Sequence, residues 1–213
     1  MNLPVDRVAV KICGITRECD ALAALDAGAD VLGFNTWTGT KRYLDVENAR
    51  WLETLPVIRV ALLVNATAEF AARIAALPYI DALQLHGDED AAECARIAAL
   101  GKPIIKALRA QDPAVTAGAS GFSTRDVLLD AHVPGAYGGT GARVDLDLAL
   151  RFRESNPALT VWLAGGLRPE NVADAVRFVR PAVVDVSSGV ESQPALKDAA
   201  MMRAFVQAAR SAL

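Results

Sequence analysis

Short apolar runs recur along the chain at intervals of roughly 20–30 residues, and Ala-rich stretches of helical periodicity separate most of them. The first run is VAVKIC (Val8–Cys13), followed by a helical stretch from Arg17 to Ala27. Next come VLGFN (Val31–Asn35) with a helix near Val46–Thr54, and IRVALLVN (Ile58–Asn65) with AEFAARIAAL as its helix. ALQLHG (Ala82–Gly87) precedes a helix from Glu89 to Leu100, and PIIKALR (Pro103–Arg109) a short helix near Pro113–Ala119. DVLLDA (Asp126–Ala131) leads to a helix around Leu146–Glu154. TVWLAGG (Thr160–Gly166) leads to a helix starting near Pro169, a favoured first-turn residue. VVDVSSG (Val183–Gly189) is the eighth run, and a helix over Leu196–Ala212 closes the chain.

Eight strand–helix units without a linker or low-complexity segment predict an α/β fold, a single (β/α)8 TIM barrel of eight parallel strands spanning residues 1–213. A doubly wound open sheet is the alternative. The count of eight favours closure, as do nearly continuous apolar runs with no evident edge strand.

Such barrels carry their working groups at the C-terminal ends of the strands. Strand one ends in Cys13, strand four in His86 and strand six in Asp130. Strand seven ends in Gly165-Gly166, and strand eight in Ser187-Ser188-Gly189. Lys11, Gln84, Lys106 and Asp185 lie about a pleat deeper. Each has a bland reading alone: a buried cysteine is usually a small hydrophobe, and a strand-end aspartate often caps the next helix. Their shared rim is what the bland readings leave unexplained.

Closure makes strands one and eight neighbours, so Lys11 and Asp185 are expected to face each other inside the barrel. An ammonium beside Cys13 would favour its thiolate and lower its pKa from about 8.5. AGGL before Arg168-Pro169, and SSGVE after strand eight, offer amides and hydroxyls where barrels commonly bind phosphate. YGGTG (Tyr137–Gly141) reads equally well as a loop that folds over a ligand and as a plain connection. Arg42 supplies a forked guanidinium suited to a carboxylate.

Composition narrows the field. A net charge of −3 and a pI near 5.4 give no basic footprint for nucleic acid or an acidic membrane. The N-terminus lacks a signal-peptide pattern, and no apolar run reaches the roughly 18–20 residues that span a bilayer. Cys13, Cys19 and Cys94 are odd in number and lack a CxxC spacing, which suits a reducing cytoplasm better than disulfides or zinc.

Taken together, KICGIT (Lys11–Thr16), GAD-x-LGF (Gly28–Phe34), KRY (Lys41–Tyr43), LQLHGDE (Leu83–Glu89), LLD (Leu128–Asp130), YGGTG, LAGGL-x-PENV (Leu163–Val172) and VDVSSGVE (Val184–Glu191) resemble the phosphoribosylanthranilate isomerase family of tryptophan biosynthesis, in order and over nearly the whole chain. The resemblance implies a small phosphosugar substrate, an Amadori rearrangement and no metal or organic cofactor. It makes Asp130 the general acid, Cys13 the general base and Arg42 the holder of the anthranilate carboxylate. Gly141, Gly165, Gly166, Ser187, Ser188 and Gly189 would bind phosphate, with Lys11, Gln84, His86 and Asp185 in support. Relatives include monomers and dimers, which leaves a homodimer open.

Two segments depart from the family pattern. FNTWTGTKRY carries Thr36, Thr38 and Thr40 where many relatives have an aromatic or proline-containing loop. ESQPALKD lacks the glycine of the familiar E-x-x-PG-x-KD. Other phosphate-binding barrels compete less well. Indole-glycerol-phosphate synthase relies on lysine and glutamate in a longer chain, ribulose-phosphate epimerase needs a His/Asp metal set, and the histidine-pathway isomerase uses aspartate where Cys13 stands. A non-catalytic phosphosugar-binding barrel is the alternative from outside enzymes.

Overall fold

The computed structural model describes residue 1 and residues 3–109, 118–131 and 144–212. Eight parallel strands close into a barrel in chain order: β1 (Ala9–Cys13), β2 (Val31–Asn35), β3 (Ile58–Leu63), β4 (Ala82–Leu85), β5 (Ile104–Arg109), β6 (Asp126–Asp130), β7 (Thr160–Leu163) and β8 (Val183–Val186). The ring closes where β1 pairs with β8, with Lys11 opposite Asp185. Among the described residues, six α-helices cover the outside: α1 (Glu18–Ala27), α2 (Ala68–Ala76), α3 (Ala91–Ala98), α4 (Leu146–Ser155), α5 (Val172–Val179) and α6 (Ala199–Arg210).

Strand alternation sorts the side chains into two cores. Val10, Ile12, Leu32, Phe34, Leu83 and Leu163 face the helices and join the large outer cluster. Ala9, Val31, Val60, Ala82, Ile105, Leu128, Trp162 and Val183, one from each strand, fill the interior. Met1 and Leu3 pack against that interior and stopper the N-terminal end, where Trp162 Nε1 donates to Asp126 Oδ1 at 2.9 Å. The opposite mouth is left to the polar strand ends.

Four of the six described helices start at a capping side chain, which satisfies the first unpaired amides. Thr67, Asp145 and Asp198 each accept from a backbone N–H three residues on, and Asp90 forms a reciprocal capping box with Glu93.

Several expected boundaries change. Val46–Thr54 is not an α-helix: only Arg50–Thr54 coils, as a 3₁₀ turn. The helix expected from Pro169 begins at Val172, because the Asn171 side chain accepts from Arg168 N at 2.7 Å and holds a preceding turn. The closing helix begins at Ala199 rather than Leu196. Leu196–Lys197 instead pairs antiparallel with Glu191–Gln193 in a small hairpin. Of the helix expected near Pro113–Ala119, residues 113–117 lie outside the described residues, and Ala119–Gly121 is a 3₁₀ turn.

Candidate active site

The end of β1 projects Lys11 and Cys13 from the inner face, one above the other. Lys11 is fully buried, and its Nζ lies 2.9 Å from Asp185 Oδ2, so the pairing expected from closure is present. A buried charge requires such a partner. Asp185 Oδ1 has no hydrogen-bond partner among the described residues. Gly33 stands opposite Cys13 in the ladder, and a Cβ there would come within 2.8 Å of the Cys13 sulfur. Cys13 packs with Leu62, Val64 and Trp37, the last from the loop after β2.

The expected lowering of the Cys13 pKa is not what this environment produces. Burial is the largest influence and pushes the thiol up. The Lys11 and Lys197 ammoniums oppose it, but Asp185 adds to the rise, and the net direction is upward from 9.0. Lys11 itself is raised: burial favours its neutral form, yet Asp185 and Cys13 outweigh that penalty.

Across the mouth, β6 ends in Asp130. Its Oδ1 accepts from the Ala131 amide at 2.8 Å, and its Oδ2 lies 3.2 Å from His86 Nε2. The other ring nitrogen, Nδ1, lies 2.7 Å from Gln84 Nε2. Gln84 on β4 and His86, the residue just past its end, are two apart, and a chain of side chains runs Gln84–His86–Asp130. Gly165, with φ +93°, makes this corner fit, since a Cβ there would sit 2.7 Å from Ala131 N and 3.2 Å from Asp130 Oδ1. Lys106 does not join them. Its neighbours Ile105 and Ala107 take the interior, and its Nζ turns outward to Glu89 Oε2 at 2.7 Å and the Gly87 carbonyl at 2.9 Å.

The loop after β2 brings Arg42 over the top of β1. Its stem crosses Gly14 so closely that a Cβ there would fall 2.6 Å from Arg42 Cδ. Arg42 Nε and Nη2 donate to Glu191 Oε1 and Oε2 at 2.8 and 2.7 Å. Glu191 Oε1 also receives Lys197 Nζ at 2.7 Å, and Lys197 donates to the Ser187 carbonyl at 3.0 Å. Burial alone would raise the Glu191 carboxyl, but the two cations hold it below its ordinary value. Burial outweighs Glu191 for Lys197, whose pKa is lowered. Two of the three unusual threonines have local partners: Thr36 donates to the Leu62 carbonyl at 2.8 Å, and Thr40 Oγ1 accepts from Arg42 N at 3.3 Å.

The turns after β7 and β8 pack together. Gly189 lies so tightly against Leu167 that a Cβ would fall 1.9 Å from the Leu167 carbonyl oxygen. Leu167, next after Gly165-Gly166 in the chain, thus touches Gly189 of the turn after β8. Gly141 and the rest of YGGTG lie outside the described residues.

This arrangement has close counterparts. The profile of N-(5′phosphoribosyl)anthranilate (PRA) isomerase matches residues 10–208. The chain belongs to the phosphoribosylanthranilate isomerase family. The N-(5′-phosphoribosyl)anthranilate isomerase of Pseudomonas fluorescens is 48% identical over 206 residues, covering 94% of this chain and 97% of the relative. That of Thiobacillus denitrificans is 46% identical over 211 residues, covering 96% and 98%. The crystal structure of phosphoribosyl anthranilate isomerase from Thermotoga maritima superposes with a TM-score of 0.85 at 38% identity, covering 95% of this chain and 98% of that one. A phosphoribosyl anthranilate isomerase in complex with reduced 1-(o-carboxyphenylamino)-1-deoxyribulose 5-phosphate gives 0.81 at 37%, with the same coverage.

Within this isomerase fold, sequence reasoning passed over Glu191 and Lys197 as site residues. The available signal was their fixed spacing in E-x-x-P-x-x-K-D, which the hairpin converts into an ion pair across its two strands.

Proposed function

We propose that this chain is an N-(5′-phosphoribosyl)anthranilate isomerase that works by general acid–base catalysis, with Asp130 as acid and Cys13 as base. One observation carries the assignment. A thiol on the inner wall and a carboxyl anchored through both oxygens end β1 and β6 at the same mouth of the barrel. Asp130 protonates the furanose ring oxygen, the C1′–O bond breaks, and the sugar opens to a Schiff base. The Cys13 thiolate removes the proton from C2′, giving an enolamine that tautomerises to the aminoketose. A raised thiol pKa reduces the fraction ionised but makes each thiolate a stronger base toward a carbon acid. Arg42 meets the anthranilate carboxylate, and the Gly165–Gly166 and Ser187–Gly189 turns receive the phosphate. Lys11–Asp185 and Gln84–His86 hold the two reacting groups in place.

The test follows the loss of anthranilate fluorescence from substrate generated out of anthranilate and phosphoribosyl pyrophosphate. The wild-type protein should consume it well above background. Cys13→Ser and Asp130→Asn should each lose about 10²-fold or more in kcat. Near-normal rates in both variants would overturn the assignment. A wild-type protein that binds the sugar phosphate without turning it over would favour the non-catalytic barrel.

A further inference from the structure

We infer that Glu191, charge-balanced by Lys197, is a positioning residue that sets how Arg42 receives the aromatic carboxylate and ties that subsite to the phosphate turn. The inference rests on Arg42 being the carboxylate holder and adds the two residues that aim it. A guanidinium carries five N–H groups on three edges. Glu191 takes the edge formed by Nε and Nη2, at 2.8 and 2.7 Å, and no other described residue bonds the Arg42 side-chain nitrogens. The edge between Nη1 and Nη2 is left for a ligand. A substrate carboxylate is thus met end-on by a group whose other edge is already clamped.

The clamp is rigid for three reasons. Glu191 is nearly buried, with 4% of its side chain exposed, so its carboxylate has no competing water shell. The Arg42 stem lies across Gly14, where any Cβ would strike it. The Arg42 amide is bonded to Thr40 Oγ1 at 3.3 Å, which fixes the base of the side chain.

Glu191 by itself would cancel the charge that Arg42 offers an anion. Lys197, with its side chain fully buried, restores it: Arg42, Glu191 and Lys197 carry one net positive charge when all are ionised. Lys197 also donates to the carbonyl of Ser187, the first residue of the turn expected to receive phosphate. A single network thereby spans the two anionic ends of the substrate, using residues 149 positions apart in the chain. Bidentate, charge-assisted pairs of this kind supply orientation as well as attraction.

The alternative sign is a gate, in which the Glu191 carboxylate occupies the fork that the substrate needs and must be displaced. Binding separates the two without relying on turnover. The probes are the reduced product, reduced 1-(o-carboxyphenylamino)-1-deoxyribulose 5-phosphate, and its phenylamino counterpart lacking the carboxylate, titrated by calorimetry into wild type, Arg42→Gln, Glu191→Gln and the double variant Glu191→Ala/Lys197→Met. The double variant removes both buried charges together and so avoids stranding one. Wild type should prefer the carboxylated probe by about tenfold or more, the scale of a charge-assisted pair. Glu191→Gln should lose most of that preference while binding the decarboxylated probe like wild type. The double variant should lose the preference too and also bind both probes more weakly, since the Lys197 bond to the Ser187 carbonyl goes with it. An unchanged preference in either variant, or in Glu191→Gln a stronger preference or a parallel fall for both probes, would overturn the inference. If wild type and Arg42→Gln both bind the two probes equally, the Arg42 assignment itself falls, and the inference with it.

Discussion

His86 Nε2 stands 3.2 Å from Asp130 Oδ2, and that contact explains why an imidazole sits beside the proposed acid. When the Gln84 amide donates to Nδ1, the ring hydrogen lies on Nε2 and serves a carboxylate. When Asp130 carries the proton, Nε2 accepts and Nδ1–H needs the amide oxygen instead. The two tautomers thus match the two states that Asp130 would pass through as the proposed acid. His86→Asn should lower kcat by up to about 10²-fold with a smaller change in KM, because it withdraws support from a group acting in the transition state. Gln84→Leu should move kcat in the same direction. Steady-state kinetics decide it: wild-type kcat in His86→Asn would remove the ring from the acid's support.

The Lys11–Asp185 pair should dominate local stability beneath the site. Removing one partner strands a buried charge, so Lys11→Met should cost about 3–5 kcal/mol in urea unfolding at neutral pH. Lys11→Met/Asp185→Asn should recover much of that loss, since no unpaired charge remains. Lys11 is raised above its ordinary 10.5, with burial opposed by Asp185 and Cys13. Its contribution is therefore complete below pH 10.5 and disappears as the pH climbs through the higher folded value.

Cys13 follows the same sign for a different reason, since burial favours its neutral thiol. Its contribution to stability is present below 9.0 and is lost as the pH rises through the raised folded value. Ligand-free protein should therefore alkylate slowly at Cys13 near neutral pH, well behind exposed Cys19, with the Cys13 rate climbing in the alkaline range. Lys11→Met should push the Cys13 titration higher still, because the lysine is the strongest influence lowering it. Mass spectrometry of iodoacetamide-treated protein across pH reads both effects. A thiol pKa unchanged by Lys11→Met would remove the lysine from any part in activating Cys13.

What was legible in the sequence follows the physics of each element. All eight strands stand within a few residues of the apolar runs, because a parallel barrel strand is buried on both faces and reads as an unbroken run. The Lys11–Asp185 contact followed from closure alone, since only a ring makes β1 and β8 neighbours. Leu196–Lys197 read as helix because two residues of strand leave no periodicity, and what pins them is pairing with Glu191–Gln193. The upward shift of Cys13 was not legible either. Sequence placed the lysine beside the thiol but could not weigh it against the depth of burial. The Arg42–Glu191 clamp was invisible because it joins loops on different strands, and no local pattern encodes a contact across 149 positions.

The missing glycine of ESQPALKD leaves a structural trace. Ala195 occupies that position with φ +68°, the left-handed region where a Cβ crowds the following carbonyl. The hairpin accepts this strain because its surroundings hold it. Thr16 Oγ1 donates to the Ala195 carbonyl at 3.1 Å, and Lys197 two residues on is pinned by Glu191. The left-handed conformation costs a non-glycine residue roughly 1–2 kcal/mol, whereas glycine gives back roughly 0.5–1 kcal/mol in unfolded-state entropy. Ala195→Gly should therefore stabilise the protein by about 0.5–1 kcal/mol, raising Tm by about 1–4 °C for a chain of this size. Calorimetry checks the sign. If the substitution lowers Tm, the turn carries no relievable strain. If it raises Tm while kcat and KM hold, the bonds from Thr16 and Glu191, rather than the turn residue, place Lys197 beneath Ser187.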